Sequence, residues 1–141
     1  MNELRDQLVH AALSWESAFG NAPQVTTVLS EYDAACLVGC SVDSYSAAMI
    51  SASAVQKGHD FVFDGIRYQV KANRPSGKQG SKVTLVPKAR NYAWDRLIWI
   101  LYNRFYEIQE AWQWEVVAYR GAFDSATRLS PRHMRQGKRL A

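Results

Sequence analysis

Residues 58–71 read GHDFVFDGIRYQVK, and this stretch predicts a β-hairpin on which the rest of the fold can be built. Asp64-Gly65 favours a two-residue type I′ turn, because that turn needs a positive φ angle at both central positions. With the turn at these residues, Asp60 is predicted to lie opposite Gln69.

The two faces of the predicted hairpin differ in chemistry. Side chains alternate between the faces of a strand, so one face carries five apolar side chains and is predicted to be core: Phe61, Phe63, Ile66, Tyr68 and Val70. The opposite face brings together Asp60, Gln69 and Lys71, since opposed Cβ atoms lie about 5 Å apart. The hairpin therefore predicts a cluster of an acid, an amide and a lysine.

The remaining elements are predicted from hydrophobic periodicity and from turn residues. We predict helices over residues 3–19, 27–38, about 45–55 and 114–123; strands over 83–86, 97–102 and 106–112; a turn at 103–104; and a loop over 73–82. The first helix should bury Leu4, Leu8, Ala11, Ala12, Trp15 and Phe19, and the second Val28, Ala34, Ala35 and Leu37. One domain over residues 1–141 is expected, with an N-terminal helix and turn over 1–26, and a basic tail over 128–141 that is loosely held from Ser130.

The positive charge of the chain is concentrated in two stretches. Residues 71–90 carry six basic side chains and residues 128–139 carry five, with no acid in either, although the net charge is only +4. Such clustering favours a polyanionic partner such as nucleic acid, while two solvated basic loops are the alternative. The predicted nucleic-acid contacts are Arg74, Lys78, Lys82, Lys88, Arg90, Arg132 and Arg135.

Composition narrows the class of protein. A hydrophobic share of 48% with 21% charged residues is typical of a globular domain, and no apolar run is long enough for a membrane span. The start of the sequence has no apolar segment typical of a secretory signal. Two cysteines, Cys36 and Cys40, are predicted to be core thiols rather than a disulfide framework, so a cytoplasmic location is expected.

The order of these elements, with Glu31 in SEYDAACLVG, Asp60 in GHDFVF, and Gln69 and Lys71 in RYQVK, resembles the PD-(D/E)xK, or restriction-endonuclease-like, nuclease superfamily. There, a helix with an acid precedes a strand with an Asp and a strand with (D/E)-x-K. The resemblance covers roughly residues 27–110 and is greatest to a small uncharacterised branch with Gln in place of the second acid. It implies an α/β fold with a mixed, four-to-five-stranded sheet flanked by helices.

The resemblance also implies an activity, which is metal-dependent hydrolysis of DNA phosphodiester bonds. Asp60, the amide oxygen of Gln69 and the backbone carbonyl of Val70 would bind Mg²⁺, with Mn²⁺ as a substitute. Lys71 would orient the attacking water or stabilise negative charge, and Glu31 would reach the metal through water or hold Lys71. These residue types suit the chemistry, because Mg²⁺ prefers oxygen ligands and keeps several waters. A double-strand break needs two copies, so a homodimer is plausible.

Two other functions stay open. Gln69 removes one negative charge from the usual ligand set, so a non-catalytic nucleic-acid-binding protein of the same fold is possible. A protein-interaction module of a defence or phage system, with an aromatic contact surface, is the other alternative. The sequence also leaves open whether the nucleic acid is DNA or RNA.

Several further residues have competing interpretations. Asp33 competes with Glu31 as the helix acid of the site, and His59 is either an auxiliary base or structural. Four tryptophans are predicted to be core or dimer contacts rather than base-stacking platforms: Trp94, Trp99, Trp112 and Trp114.

Overall fold

The computed structural model describes residues 2–52 and 58–141. Within these ranges, five strands form one mixed sheet flanked by helices, which confirms the predicted α/β class. The helices are α1 (Glu3–Phe19), α2 (Thr26–Leu37), α3 (Val42–Ser51), α4 (Val116–Phe123) and α5 (Pro131–Met134). The strands are β1 (Phe61–Phe63), β2 (Ile66–Asn73), β3 (Arg96–Tyr102), β4 (Ile108–Glu115) and β5 (Lys138–Arg139). The predicted end of the third helix, near residue 55, lies outside the described residues.

The strands follow one another across the sheet in the order β1-β2-β3-β4-β5. Only β2 and β3 are parallel, and the other neighbours are antiparallel. A parallel pair needs a long connection that returns to the starting end of the sheet. Residues 74–95 make this connection, and they cross one face of the sheet, where Val86 donates a backbone hydrogen bond to Leu129.

The predicted hairpin is confirmed in both its turn and its register. Asp64 and Gly65 have φ angles of 54° and 75°, as a type I′ turn requires. Phe61 pairs with Tyr68, so each strand residue has the partner that the sequence predicts. The predicted core face is also confirmed, because Phe61 and Tyr68 are almost fully buried.

Apolar side chains are buried on both faces of the sheet. Helices α1 and α2 cover the face that carries Tyr68, Val70 and Ile98. Helix α4 and the C-terminal segment cover the other face, around Trp99 and Trp114. Strand β3 contributes to both clusters, which explains why its sequence is apolar without alternation.

The predicted inward faces of the first two helices are partly wrong. Leu4, Trp15 and Phe19 are 72%, 51% and 66% exposed, and Val28 of α2 is 60% exposed. The side chains of α1 that contact the core lie on a narrower stripe around Ala12, which includes Leu8, Val9 and Leu13. Helical periodicity identifies an apolar face but not how much of that face the neighbouring elements cover.

Three strand predictions need correction. Residues 83–86 form no strand, and their β-pairing within the described part of the chain is limited to the isolated bridge between Val86 and Leu129. Strand β4 begins at Ile108 rather than Tyr106, because Tyr106 has a φ of 62° and belongs to the turn. The same strand continues to Glu115, so Trp114, predicted to start a helix, ends a strand instead.

The prediction of a loosely held tail is wrong. Strand β5 pairs with β4, and Met134 of α5 is fully buried. The indole nitrogen of Trp114 donates a 3.1 Å hydrogen bond to the carbonyl of Met134. Gly137 packs so closely on Trp114 that an added Cβ would lie 2.5 Å from the indole nitrogen. These long-range contacts order a segment whose composition alone suggests mobility.

The predictions for the cysteines and tryptophans are confirmed in most respects. Cys40 is buried, as predicted, whereas Cys36 is exposed, and both are free thiols. Trp94, Trp99 and Trp114 are buried, and Trp112 is partly buried beneath Arg139. Among the described helices, none combines the length and apolarity that a bilayer crossing requires.

Candidate active site

The side chain of Asp60 lies where β1 begins, against the neighbouring edge of β2. Its backbone N–H donates to the carbonyl of Tyr68 at 2.7 Å, one residue out of the register that pairs Phe61 with Tyr68. Its Oδ2 accepts hydrogen bonds from the backbone N–H of Val70 at 2.7 Å and from Nε2 of Gln69 at 3.1 Å. Because β1 is only three residues long, this carboxylate occupies the edge of β2 where a longer strand would pair.

The hairpin brings Gln69 to Asp60 as predicted, but the amide presents its nitrogen and not its oxygen. Rotation of the amide by half a turn would present the oxygen in its place. The Val70 carbonyl faces the same edge of the strand as its N–H, since both backbone groups of a strand residue point the same way. The two uncharged groups predicted to be metal ligands, the Gln69 amide and the Val70 carbonyl, therefore both lie beside Asp60.

Glu31, and not its competitor Asp33, is the helix acid at this site. A side-chain hydrogen bond joins Glu31 to Asp60. Burial, the charge of Asp60 and this hydrogen bond together raise the pKa of Glu31 to about 7. The two carboxyl groups therefore share a proton near neutral pH.

Asp33 has a structural role on the other side of the same helix. Arg5 donates two hydrogen bonds of 2.7 Å to its carboxylate, and the Tyr102 hydroxyl donates a third at 2.5 Å. Asp33 is only 5% exposed. With three charge-assisted hydrogen bonds, it ties α1, α2 and β3 together and is not available to the site.

Lys71 is half-buried on β2, two residues beyond Gln69. Burial lowers its pKa, the charge of Asp60 opposes that change, and the charge of Arg90 adds to it. Burial also raises the pKa of Asp60, against the effects of the Val70 N–H and of Lys71. An acid and a lysine thus face each other in a partly desolvated place, where charge interactions are stronger than in water.

The structure adds Tyr45 of α3, which the sequence analysis did not select. Burial and then the charges of Glu31 and Asp60 raise the pKa of its hydroxyl to about 12, so Tyr45 remains protonated. Its ring makes edge contacts with Phe61 and Tyr32. No sequence signal marks this residue, because its position depends on how α3 packs beside β1.

Three of the predicted nucleic-acid contacts make internal contacts in the fold. The Arg74 guanidinium pairs with Glu16, and its side chain is 7% exposed. Lys88 donates two hydrogen bonds of 2.8 Å to backbone carbonyls near the end of α4. Arg135 pairs with Glu110 on β4. We therefore leave Arg74, Lys88 and Arg135 out of the candidate contact surface.

The other four predicted contacts are exposed. Within residues 2–52 and 58–141, no ion pair involves Lys78, Lys82, Arg90 or Arg132. Lys78 and Lys82 lie in the connection that follows β2, and Arg90 lies nearer its end. These four side chains can meet phosphate groups without breaking an internal contact.

The donor set suits a cation that keeps part of its water shell. No group of three or more His, Cys, Asp or Glu side chains gathers at metal-binding spacing in the described part of the chain. The site instead offers two carboxyl groups, Glu31 and Asp60, with the amide of Gln69 and the carbonyl of Val70. Mg²⁺ commonly takes one or two carboxylates and several waters, so these residues fit it better than a fully coordinated metal.

A separate apolar groove lies between the first three helices. Its volume is about 350 Å³, and its lining includes Leu4, Val28, Tyr32 and Ile50. Exposed aromatic side chains elsewhere are Trp15 and Phe19 of α1 and Phe105. The exposed aromatic surface is therefore not formed by Trp94, Trp99 and Trp114, which are buried.

No protein-family model matches the chain, and no curated protein is significantly similar to it.

Proposed function

We propose that this protein is a metal-dependent nuclease that hydrolyses phosphodiester bonds in DNA. The observation that carries the proposal is the convergence of three polar side chains, one from α2 and two from β2, on the Asp60 carboxylate. Glu31 of α2 hydrogen-bonds to Asp60, Gln69 of β2 donates to it at 3.1 Å, and the charge of Lys71 acts on it. Two acids, one amide and one lysine at a sheet edge form a donor set and a positive charge suited to phosphate chemistry.

Asp60 and Glu31 would hold the cation, with Val70 through its carbonyl and Gln69 after rotation of its amide. When bound, Mg²⁺ supplies polarisation of the phosphate and a lower pKa for the attacking water. Near neutral pH, Glu31 is partly protonated, because its pKa is raised to about 7, and this proton must leave before both carboxyl groups can bind a cation. Cation affinity should therefore rise with pH across the pKa of Glu31, about 7.

Lys71 has a role that is separate from cation binding. Its side chain is half-buried and its charge acts on Asp60, so a positive charge would already be present where negative charge develops on the phosphate oxygens. Loss of one such preorganised charge typically lowers the rate by a factor of about 10²–10³.

Cleavage of a supercoiled plasmid tests the proposal, with Mg²⁺, with Mn²⁺ and with chelator alone. Wild type should cut only with a divalent cation, and Asp60→Asn and Lys71→Ala should not cut detectably. Asp43→Asn is a matched control, since Asp43 is an exposed acid in the first turn of α3. Cutting that survives the chelator, or that persists in Asp60→Asn, would contradict the proposal. A parallel assay on single-stranded and duplex RNA distinguishes the two nucleic acids.

The orientation of Gln69 favours a second candidate, a non-catalytic nucleic-acid-binding protein. The Gln69 amide N–H satisfies Asp60 without a cation. In that case, calorimetric titration of Mn²⁺ into wild type would give no heat of binding, while binding to nucleic acid would persist in chelator.

A double-strand cut also implies two copies, and we infer a homodimer that works on duplex DNA in the cytoplasm. The free thiols of Cys36 and Cys40 are in keeping with a reducing compartment. Sedimentation velocity with and without a DNA duplex tests the dimer, and a single copy per duplex would contradict it.

A further inference from the structure

The segment that leads into β3, residues 89–95, is held in place along its whole length. Trp94 is 1% exposed in the core of the second face. Three hydrogen bonds anchor the segment to other elements: Ala89 N–H donates to the Tyr119 hydroxyl at 3.0 Å, the Tyr92 hydroxyl to Asp124 at 2.6 Å, and Asp95 N–H to the Arg67 carbonyl at 2.8 Å. Within the segment, the Trp94 indole donates to the Asn91 carbonyl at 2.7 Å. The backbone of this segment, including that of Arg90, therefore has a defined position.

Gly58 places the anchored segment next to the candidate active site. It has a φ of +79°, and a Cβ at this position would lie 2.8 Å from both the Ala93 Cβ and the Asn91 Oδ1. Only glycine allows so close an approach in this conformation. Since Gly58 is two residues before Asp60, this contact brings Arg90, the neighbour of Asn91, to the site.

Arg90 differs from most other arginines of the chain. Five arginines are ion-paired, and Arg104, Arg120 and Arg139 stack on aromatic rings. Within the described ranges, the exposed side chain of Arg90 takes part in no ion pair, hydrogen bond or ring contact. Its guanidinium is fully available to a ligand.

Arg90 and Lys71 are like charges that act on each other. The charge of Arg90 acts on Lys71, and Asp60 is the acid that opposes it. Asp60 already has the hydrogen bonds of Val70 and Gln69 and the contact with Glu31. Arg90 and Lys71 are near enough for the charge of Arg90 to lower the pKa of Lys71, and an anion bound between two such cations would be stabilised by both.

We propose that Arg90 and Lys71 bind one phosphate group together, with Arg90 donating to its non-bridging oxygens. The proposal rests on the proposed function for the identification of that phosphate as part of a nucleic acid. A guanidinium can donate two parallel hydrogen bonds to a phosphate, whereas an ammonium acts as a point charge. Arg90 thus fixes the orientation of the phosphate, and Lys71 supplies charge beside Asp60. Arg90 then acts at the phosphate that is cut and not only along the flanking backbone.

Nuclear magnetic resonance of protein labelled with ¹⁵N-arginine tests the pair without cleavage. The probes are inorganic phosphate and a 5′-phosphorylated thymidine dinucleotide, both in chelator. The Arg90 side-chain resonance, assigned by its absence in Arg90→Lys, should shift on titration. Its affinity should weaken about ten- to a hundredfold in Lys71→Ala. Arg128, which is exposed and unpaired within the described chain, supplies the control resonance that should stay in place.

Each result is decisive. A stationary Arg90 resonance, or equal affinity in wild type and Lys71→Ala, would overturn the pair. With Mg²⁺ and plasmid, Arg90→Ala should cut at least about tenfold more slowly than Arg128→Ala. If Arg90 binds the probes but wild type never cuts, the pair stands and the nuclease proposal fails. If wild type cuts, Arg90→Ala cuts equally fast and the resonance does not shift, then the nuclease proposal stands and the pair fails.

Discussion

A side-chain hydrogen bond joins Glu31 of α2 to Asp60 at the start of β1, and it brings two carboxyl groups together in a partly buried place. The same contact brings two residues of the candidate active site together from different elements of the fold. A proton shared by two acids stabilises the folded protein without a cation, and it must be released for both acids to bind one.

The first prediction concerns the dependence of stability on pH. The pKa of Glu31 is about 7 in the folded protein and lower when unfolded, so the folded state binds more protons between those values. The free energy of unfolding should therefore be highest below the unfolded pKa and fall as the pH rises towards about 7. After allowance for solvent screening, the loss should be on the order of 1–2 kcal/mol.

Urea denaturation of wild type and Glu31→Gln from about pH 4 to about pH 8, a range that covers the unfolded and folded pKa values of Glu31, measures this dependence. Glu31→Gln cannot ionise and should remove the fall in stability. Glu16→Gln is the control, because Arg74 lowers the pKa of Glu16 and its contribution is lost only as the pH falls. Equal slopes in wild type and Glu31→Gln would show that Glu31 ionises at its ordinary pKa.

The second prediction concerns Gln69. Gln69→Glu adds a carboxylate beside Asp60, so Mn²⁺ affinity should rise and stability without metal should fall near neutral pH. Gln69→Ala removes the amide oxygen and should lose most of the activity, with partial recovery at high Mn²⁺. Calorimetric titration of Mn²⁺ measures both effects, with Gln109→Glu, an exposed substitution on β4, as control. Negligible heats in wild type and in both Gln69 variants would exclude a working metal site.

The third prediction concerns binding to duplex DNA in chelator. Each phosphate contact contributes about −0.9 to the slope of log K against log salt, so the four exposed cations should give roughly −3.6. The double substitution Lys78→Ala/Lys82→Ala should reduce the slope by about 1.8. Arg135→Ala should leave it unchanged, because Arg135 pairs with Glu110. Fluorescence anisotropy at several salt concentrations measures the slope, and a flat dependence would rule out phosphate contacts.

The fourth prediction separates the two faces of the hairpin. Phe61 is 1% exposed and stacks on Tyr68 at a ring separation of 4.9 Å. Phe61→Ala should lower the free energy of unfolding by about 3–5 kcal/mol. Val62→Ala, on the neighbouring residue with 45% exposure, should change it by about 0.5 kcal/mol or less. Similar losses in both variants, measured by urea denaturation, would contradict the assigned faces.

The fifth prediction concerns the close approach at Gly58. Gly58 and Gly65 have similar φ angles of +79° and +75°, but only Gly58 has atoms within 4 Å of the Cβ position. Gly65→Ala should therefore cost about 1–2 kcal/mol for the left-handed conformation alone. Gly58→Ala should cost more, and should weaken phosphate binding by displacing Asn91 and its neighbour Arg90. If the two variants lose the same stability, Gly58 does not hold the segment in place.

Local sequence was sufficient to predict the hairpin and the grouping of Asp60, Gln69 and Lys71. A two-residue turn at Asp64-Gly65 leaves one register that buries the apolar face, and that register determines which side chains share a face. The buried strand β3 was also predictable, because seven residues with almost no polar side chain suit a strand covered on both sides.

Contacts between distant residues were not predictable in the same way. The sequence left Glu31 and Asp33 as competing acids, and the packing of α2 decided between them by turning Asp33 to Arg5 and Tyr102. In the same way, Arg74 is committed to Glu16 on α1, whereas Arg90 is exposed. Composition counts these two arginines alike, although their environments differ.

The sequence alone thus determined the β-hairpin, its core face and the polar cluster on its other face, because turn geometry and strand alternation act over a few residues. Only the tertiary structure decided which helix acid joins Asp60, which cations remain exposed and that the tail is ordered as α5 and β5. These outcomes depend on burial and pairing between segments far apart in the chain, and such contacts leave no periodic signal in the sequence.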